Sequence, residues 1–178
     1  MLAIASALYV GGCAGGSPYA GAACLLGQCS SPVPSPSPSP SGSPAAVLVG
    51  LNVNATPTTD PTFGAELGFL QGTATTQSST IHVPVGSTIQ FVDVEPGTAH
   101  TAADLGKWSG KFPANGPNPS ATMTPAGMDI SIRHFTTGNL GPPGGNASAI
   151  YTADLPGMYV FGCAYHYGQG MRTVVIVQ

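Results

Sequence analysis

Between residues 47 and 177 the apolar side chains come in short runs, the first two of them of period two, and glycine- or proline-containing turns separate them. Val47, Val49, Leu51 and Val53 recur at alternate positions, which presses one face of an extended strand against a core. Ile81, Val83 and Val85 repeat the pattern, and Gly86-Ser87 turns the chain into a predicted strand over 88–94. Ile130 with Ile132, and the stretches 149–153, 158–163 and 173–177, predict four more. Glu95-Pro96-Gly97, the run 141–145 (GPPGG) and Pro156-Gly157 punctuate the gaps. No apolar pattern of helical period competes. Many short strands with frequent turn signals imply an all-β antiparallel sandwich or barrel.

Charge divides the chain. It has four basic and seven acidic residues, and residues 1–59 hold none of them. So few cations argue against a nucleic-acid partner, since phosphate neutralisation needs clustered Lys and Arg. Residues 1–29 read as a signal or lipoprotein-anchor region: the small, apolar run MLAIASALYV leads into Val10-Gly11-Gly12-Cys13. That resembles a bacterial lipoprotein signal whose Cys is lipidated, although the basic residues of an ordinary signal peptide are missing. A lipid anchor, a cleaved secretory signal and a membrane helix all place the rest outside the cytoplasm, in the periplasm or on the outer face of the cell membrane. Cys24 and Cys29 are expected either to pair or to stay free.

Residues 30–44 (SSPVPSPSPSPSGSP) contain six prolines and seven serines. Proline favours polyproline II, so this segment is expected to be a disordered, semi-rigid tether reaching up to ~45 Å at about 3.1 Å per residue. Residues 45–178 then form one domain with enough chain to fill a core. Within it, 103–128 is rich in Gly, Pro and Asn and is expected to be a long surface excursion.

The strongest chemical signal lies near the C-terminus. A predicted strand delivers Cys163, His166 follows three residues later, and Met171 five after that. A soft thiolate, an imidazole and a thioether on one tight loop suit copper in both its oxidation states. Trigonal coordination by two imidazoles and a thiolate needs a second His, and His100 is placed to supply it after the strand ending near Val94. Singly, each residue has an ordinary explanation: a buried thiol, a core or surface imidazole, a core methionine such as Met123, Met128 and Met158 are taken to be. The conjunction is what points to a metal. His82 alternates with Ile81 and Val83 and is expected to face solvent, and His134 is expected to be structural.

The Cys-x2-His-x4-Met spacing resembles that of the cupredoxins (blue copper proteins), in particular plastocyanin and pseudoazurin. The similarity extends to 79–100 (STIHVPVGSTIQFVDVEPGTAH) and to 135–140 (FTTGNL) before the Cys-bearing strand. It implies a Greek-key β-sandwich and one copper ion with His100, Cys163 and His166 as equatorial ligands and Met171 as the weak axial one. It also implies one-electron transfer between extracytoplasmic redox proteins docking transiently near His166, with Tyr165, Tyr167 and Gly168 flanking that port. Two departures stand out: Tyr165 occupies a place where many relatives have Pro, and 62 residues separate His100 from Cys163. A copper carrier or sensor with the same ligands is the alternative, and a metal-free adhesive sandwich is a further rival. An enzyme is not expected. Multicopper oxidases and nitrite reductases need extra His clusters that four histidines cannot furnish, and a binuclear copper centre needs a second Cys within 164–170, where there is none.

Overall fold

A computed structural model describes residues 46–142 and 145–178. The expected anchor region 1–29, with Cys13, Cys24 and Cys29, and the tether 30–44 lie outside the described residues. Among the described residues no helix is long and apolar enough to cross a membrane.

Two four-stranded sheets carry the fold. β1 (Val47–Leu51), β4 (Phe69–Gln71), β6 (Thr88–Asp93) and β8 (Tyr151–Thr152) form one, in the order β4-β1-β6-β8. β5 (Ile81–Val83), β7 (Ala103–Lys107), β9 (Gly157–Gly162) and β10 (Arg172–Val177) form the other, in the order β5-β10-β9-β7. β2 (Thr58–Asp60) and β3 (Gly64–Glu66) pair as a small ribbon, and α1 (Pro119–Thr122) is a single turn capped by Asn118.

The inner faces meet through the residues that the period-two pattern selects. β6 alternates, burying Ile89, Phe91 and Asp93, and β5 buries Ile81 and Val83 while exposing His82. Phe91 of one sheet stacks on Phe161 of the other with ring centroids 5.7 Å apart, and Phe135 and Tyr151 complete the cluster. All four rings are essentially inaccessible to solvent. Each such ring contributes roughly 1.5–3 kcal/mol by leaving water. The all-β sandwich is therefore the observed fold.

Several local expectations need correction. The sheets are mixed: β1 runs parallel to β6, and β10 runs parallel to β5. Alternation marks a buried face but carries no information on the direction of the neighbouring strand. Ile130–Ile132 is a turn, not a strand. Ile130 is buried because its N–H donates to the Thr152 carbonyl, whereas Ile132 is exposed. The supposed excursion 103–128 begins as strand β7, which pairs antiparallel with β9 through an irregularity between Asp104 and Lys107. Strands β2, β3 and β4 are three residues each, too short for periodicity to reveal. Met123, Met128 and Met158 are exposed, not core, and only Met171 among the described methionines is fully buried.

Phe91→Ala should therefore cost about 3–5 kcal/mol of unfolding free energy. Met158→Ala on the solvent face of β9 should stay within about 0.5 kcal/mol. Equilibrium urea denaturation of the two variants checks both values.

Candidate metal centre

Three strand ends deliver the predicted site residues to one pole of the sandwich. β6 ends at Asp93, and the turn through Pro96-Gly97 brings in His100, whose N–H donates to the Leu140 carbonyl while its own carbonyl accepts from Leu140 N–H. β9 ends at Gly162 and places Cys163, and a 3₁₀ turn over Tyr167–Gln169 carries the chain past His166 into β10. Met171 closes this loop twice: its carbonyl accepts the Cys163 N–H at 3.1 Å, and its N–H donates to the His166 carbonyl at 3.1 Å.

The side chains converge. One donor atom from each of His100, Cys163 and His166 lies within 4.8 Å of the others. Nδ1 of His166 is 3.5 Å from the Cys163 sulfur and Nδ1 of His100 is 3.9 Å from it. The two imidazole centroids stand 5.0 Å apart. His100 and Cys163 are wholly buried; His166 is half-buried and opens outward. Thiolate plus two imidazoles beside a buried thioether is the donor set that type 1 copper takes, so the residues present fit that ion.

Burial favours the neutral form of all three side chains. Burial pushes the Cys163 thiol above its ordinary pKa, more than the N–H and hydroxyl groups around it pull it down. Burial likewise holds both imidazoles below the ordinary histidine value. Thr101, which the sequence reading passed over, shapes the sulfur's surroundings. Its N–H points at the Cys163 sulfur from 3.5 Å, and its hydroxyl oxygen accepts the Ala164 N–H at 2.9 Å. Its position next to His100 was the one available clue.

Two buried carboxylates behind His100 were also missed. Glu95 Oε2 is 3.1 Å and Asp93 Oδ1 is 4.0 Å from His100 Nε2. Burial raises the Asp93 pKa and outweighs the Glu95 N–H and the His100 field that oppose it. For Glu95, burial also pushes upward, but the Val53 N–H, Thr98 and His100 together carry the net shift downward. Acidic residues in a turn ordinarily face water, so spacing alone gave no reason to place them inward.

Met171 is set by a close approach. Gly68 has φ +80°, and a Cβ there would lie 2.6 Å from Met171 Cγ. Leu67 beside it pairs with Arg172 through two backbone bonds, from Leu67 N–H at 3.1 Å and from Arg172 N–H at 3.0 Å. On the other side, the segment after β7 covers the ligand loop. The Tyr167 hydroxyl donates to the Pro113 carbonyl at 2.7 Å, Gly116 packs where any Cβ would strike the Tyr167 ring, and the Arg172 guanidinium lies 4.6 Å from the Phe112 centroid. Tyr167 is consequently buried and forms no part of an exposed patch, contrary to expectation. Tyr165 is exposed, and its hydroxyl sits 2.8 Å from both Met123 Sδ and Asn139 Oδ1. His82 faces solvent on β5, and His134 occupies an exposed left-handed turn with φ 68°.

No family model and no curated relative matches the sequence. Among solved structures the chain is similar to a copper-containing nitrite reductase from Thermus scotoductus SA-01, at 20% identity over 76% of this chain and 23% of that one, with a TM-score of 0.43. It is similar to oxidised plastocyanin from Dryopteris crassirhizoma at 18% identity over 74% of this chain and 99% of that one, TM-score 0.40. Dithionite-reduced auracyanin from Roseiflexus castenholzii matches at 21% identity over 77% and 99%, TM-score 0.42. The chain thus spans under a quarter of the reductase and nearly all of the two small proteins. By its own two layers and core, the described domain is an all-β sandwich with a His-Cys-His cluster at one pole.

Gly68→Ala should combine left-handed strain with a clash against Met171 and destabilise the fold by roughly 2–4 kcal/mol. Gly64→Ala, with similar φ and open space around it, should cost only about 1–2 kcal/mol. Paired denaturation curves of the two variants separate strain from overlap.

Proposed function

We propose that this protein is a type 1 (blue) copper protein that carries single electrons, with His100, Cys163 and His166 as equatorial ligands and Met171 as the weak axial one. The carrying observation is the convergence of one thiol and two imidazole nitrogens from two separated parts of the chain, buried in a pole that already has its hydrogen bonds. Copper bound there supplies one-electron exchange between Cu(I) and Cu(II). The chain's task is to keep the ligand positions alike in both states. Thr101 N–H against the sulfur, the two Met171 backbone bonds and the Tyr167 cover all restrain movement. Restraint of that kind favours outer-sphere transfer over metal hand-over. His100, Cys163 and His166 are the one group of three metal-ligating side chains found among the described residues, which fits one mononuclear centre.

His166 is the electron port in this reading. It is half-buried, with exposed Tyr165 on one side and, through the Tyr165 hydroxyl, exposed Met123 beyond. Residues 163–171 bear no carboxylate, Lys or Arg, so a redox partner would dock through a small apolar contact with weak electrostatic steering. The expected N-terminal anchor and tether would hold the domain at the outer face of a membrane or in the periplasm.

The full chain loaded with Cu(II) should show an intense thiolate-to-copper visible band that Cys163→Ser abolishes; a colourless, folded wild-type protein sinks the reading. Met171→Leu should keep the colour and raise the reduction potential, measured by protein-film voltammetry. Because burial keeps the Cys163 thiol protonated and both imidazoles neutral, Cu(II) uptake near pH 7 should release about one proton per ion. Apparent affinity should then rise with pH, by about tenfold per unit while pH stays below the thiol pKa and above those of the imidazoles. Titration in weakly buffered solution reads the proton directly.

A further inference from the structure

The two imidazoles of the centre are held in unlike ways. His166 opens toward the surface, whereas His100 is wholly buried and its outer nitrogen meets an acid. Nε2 of His100 is 3.1 Å from Glu95 Oε2, while Nδ1 faces the Cys163 sulfur at 3.9 Å. A neutral imidazole carries one N–H, and a carboxylate partner takes it, which leaves the opposite nitrogen as the lone-pair donor.

Glu95 is itself fixed from several directions. Its Oε2 also accepts the Val53 N–H at 2.7 Å, and its Oε1 accepts from the Asn54 side-chain amide and from the Thr98 hydroxyl at 3.1 Å. Val53 and Asn54 belong to the segment that leaves β1, so the carboxylate ties that segment to the turn carrying His100. Every one of these partners donates, an arrangement that suits an anion and leaves it little freedom to swing away.

We propose that Glu95 is the positioning residue of the centre: it accepts a hydrogen bond from His100 Nε2–H, presents Nδ1 to the metal, and sets a fixed negative charge behind that ligand. The inference rests on the copper reading above. The charge stabilises Cu(II), the more positive state, over Cu(I), so it lowers the reduction potential. The hydrogen bond orients the ring in the copper-free protein, as carboxylates behind metal-bound histidines do elsewhere.

Two measurements on the full chain test it. In copper-free wild-type protein, long-range ¹H–¹⁵N correlation spectra should show His100 as the Nε2–H tautomer. Glu95→Gln keeps an acceptor oxygen and removes the charge. It should retain the visible band while the ratio of Cu(II) to Cu(I) affinity falls about tenfold, equivalent to a rise of ~59 mV for one electron. A proton on Nδ1 in the copper-free protein overturns the proposal, as does a ratio unchanged within twofold in a coloured Glu95→Gln protein. If that variant does not fold, the wild-type tautomer decides. The spectrum is recorded without metal, so a wild-type chain that fails to bind copper refutes the copper reading and leaves the positioning result separately legible.

Discussion

A reciprocal pair of contacts between two distant segments governs the pole of this sandwich. Thr101 directs its N–H at the Cys163 sulfur, and Ala164 returns an N–H to the Thr101 hydroxyl oxygen. The residues are more than sixty positions apart, and each belongs to a segment that leaves a different sheet. This stitch extends the β7–β9 pairing, in which Ala103 faces Gly162, up to the His100 turn and the Cys163 loop. With it, the fold holds the sulfur and the ring nitrogens a few ångströms apart. That preorganisation places the cost of convergence on folding, where the aromatic core of Phe91, Phe135, Tyr151 and Phe161 offsets it.

The second constraint is the treatment of buried charge. An isolated carboxylate in a protein interior is costly, and it persists when donors surround it. Glu95 has four donors. Glu66 follows the same logic beside the first residues of β10, accepting from Thr80, from Thr173 and from Val174 N–H, although burial there still leaves its pKa raised. Both acids join loops to strands that flank the centre. In a chain with few charges, two of seven acids are spent on holding the site's surroundings in register.

Rigidity around the ligand loop comes from packing rather than from charge. Arg172, the first residue of β10, stacks over Phe112, Phe112 meets Trp108 edge-on, and Trp108 meets Phe63 in the same way. Phe63 comes from the turn between β2 and β3, whereas Trp108 and Phe112 lie on the segment that follows β7, where Gly116 packs against the Tyr167 ring that Gly162 also meets. A part of the chain rich in Gly, Pro and Asn thereby becomes a cover for the loop bearing His166 and Met171. In the function proposed above, that cover would keep the reorganisation cost of electron exchange low.

Alternation of side chains placed β1, β5 and β6, because a half-buried strand must show its two faces in sequence, and short apolar runs bounded by turn signals placed β9 and β10, which together make the fold all-β. The order Cys, His, Met on one loop, with His100 upstream, was likewise legible, since ligand type and spacing are local properties. Strand direction in the mixed sheets, the strand character of Ala103–Lys107 and the turn at Ile130 depended on partners far along the chain. So did the inward placement of Glu95, the role of Thr101 and the burial of Tyr167. Each of those features is a contact between segments, and a pattern along one segment does not encode which other segment will lie beside it. The chain's chemistry could be read in one dimension; which groups restrain that chemistry was decided only when the two sheets closed on each other.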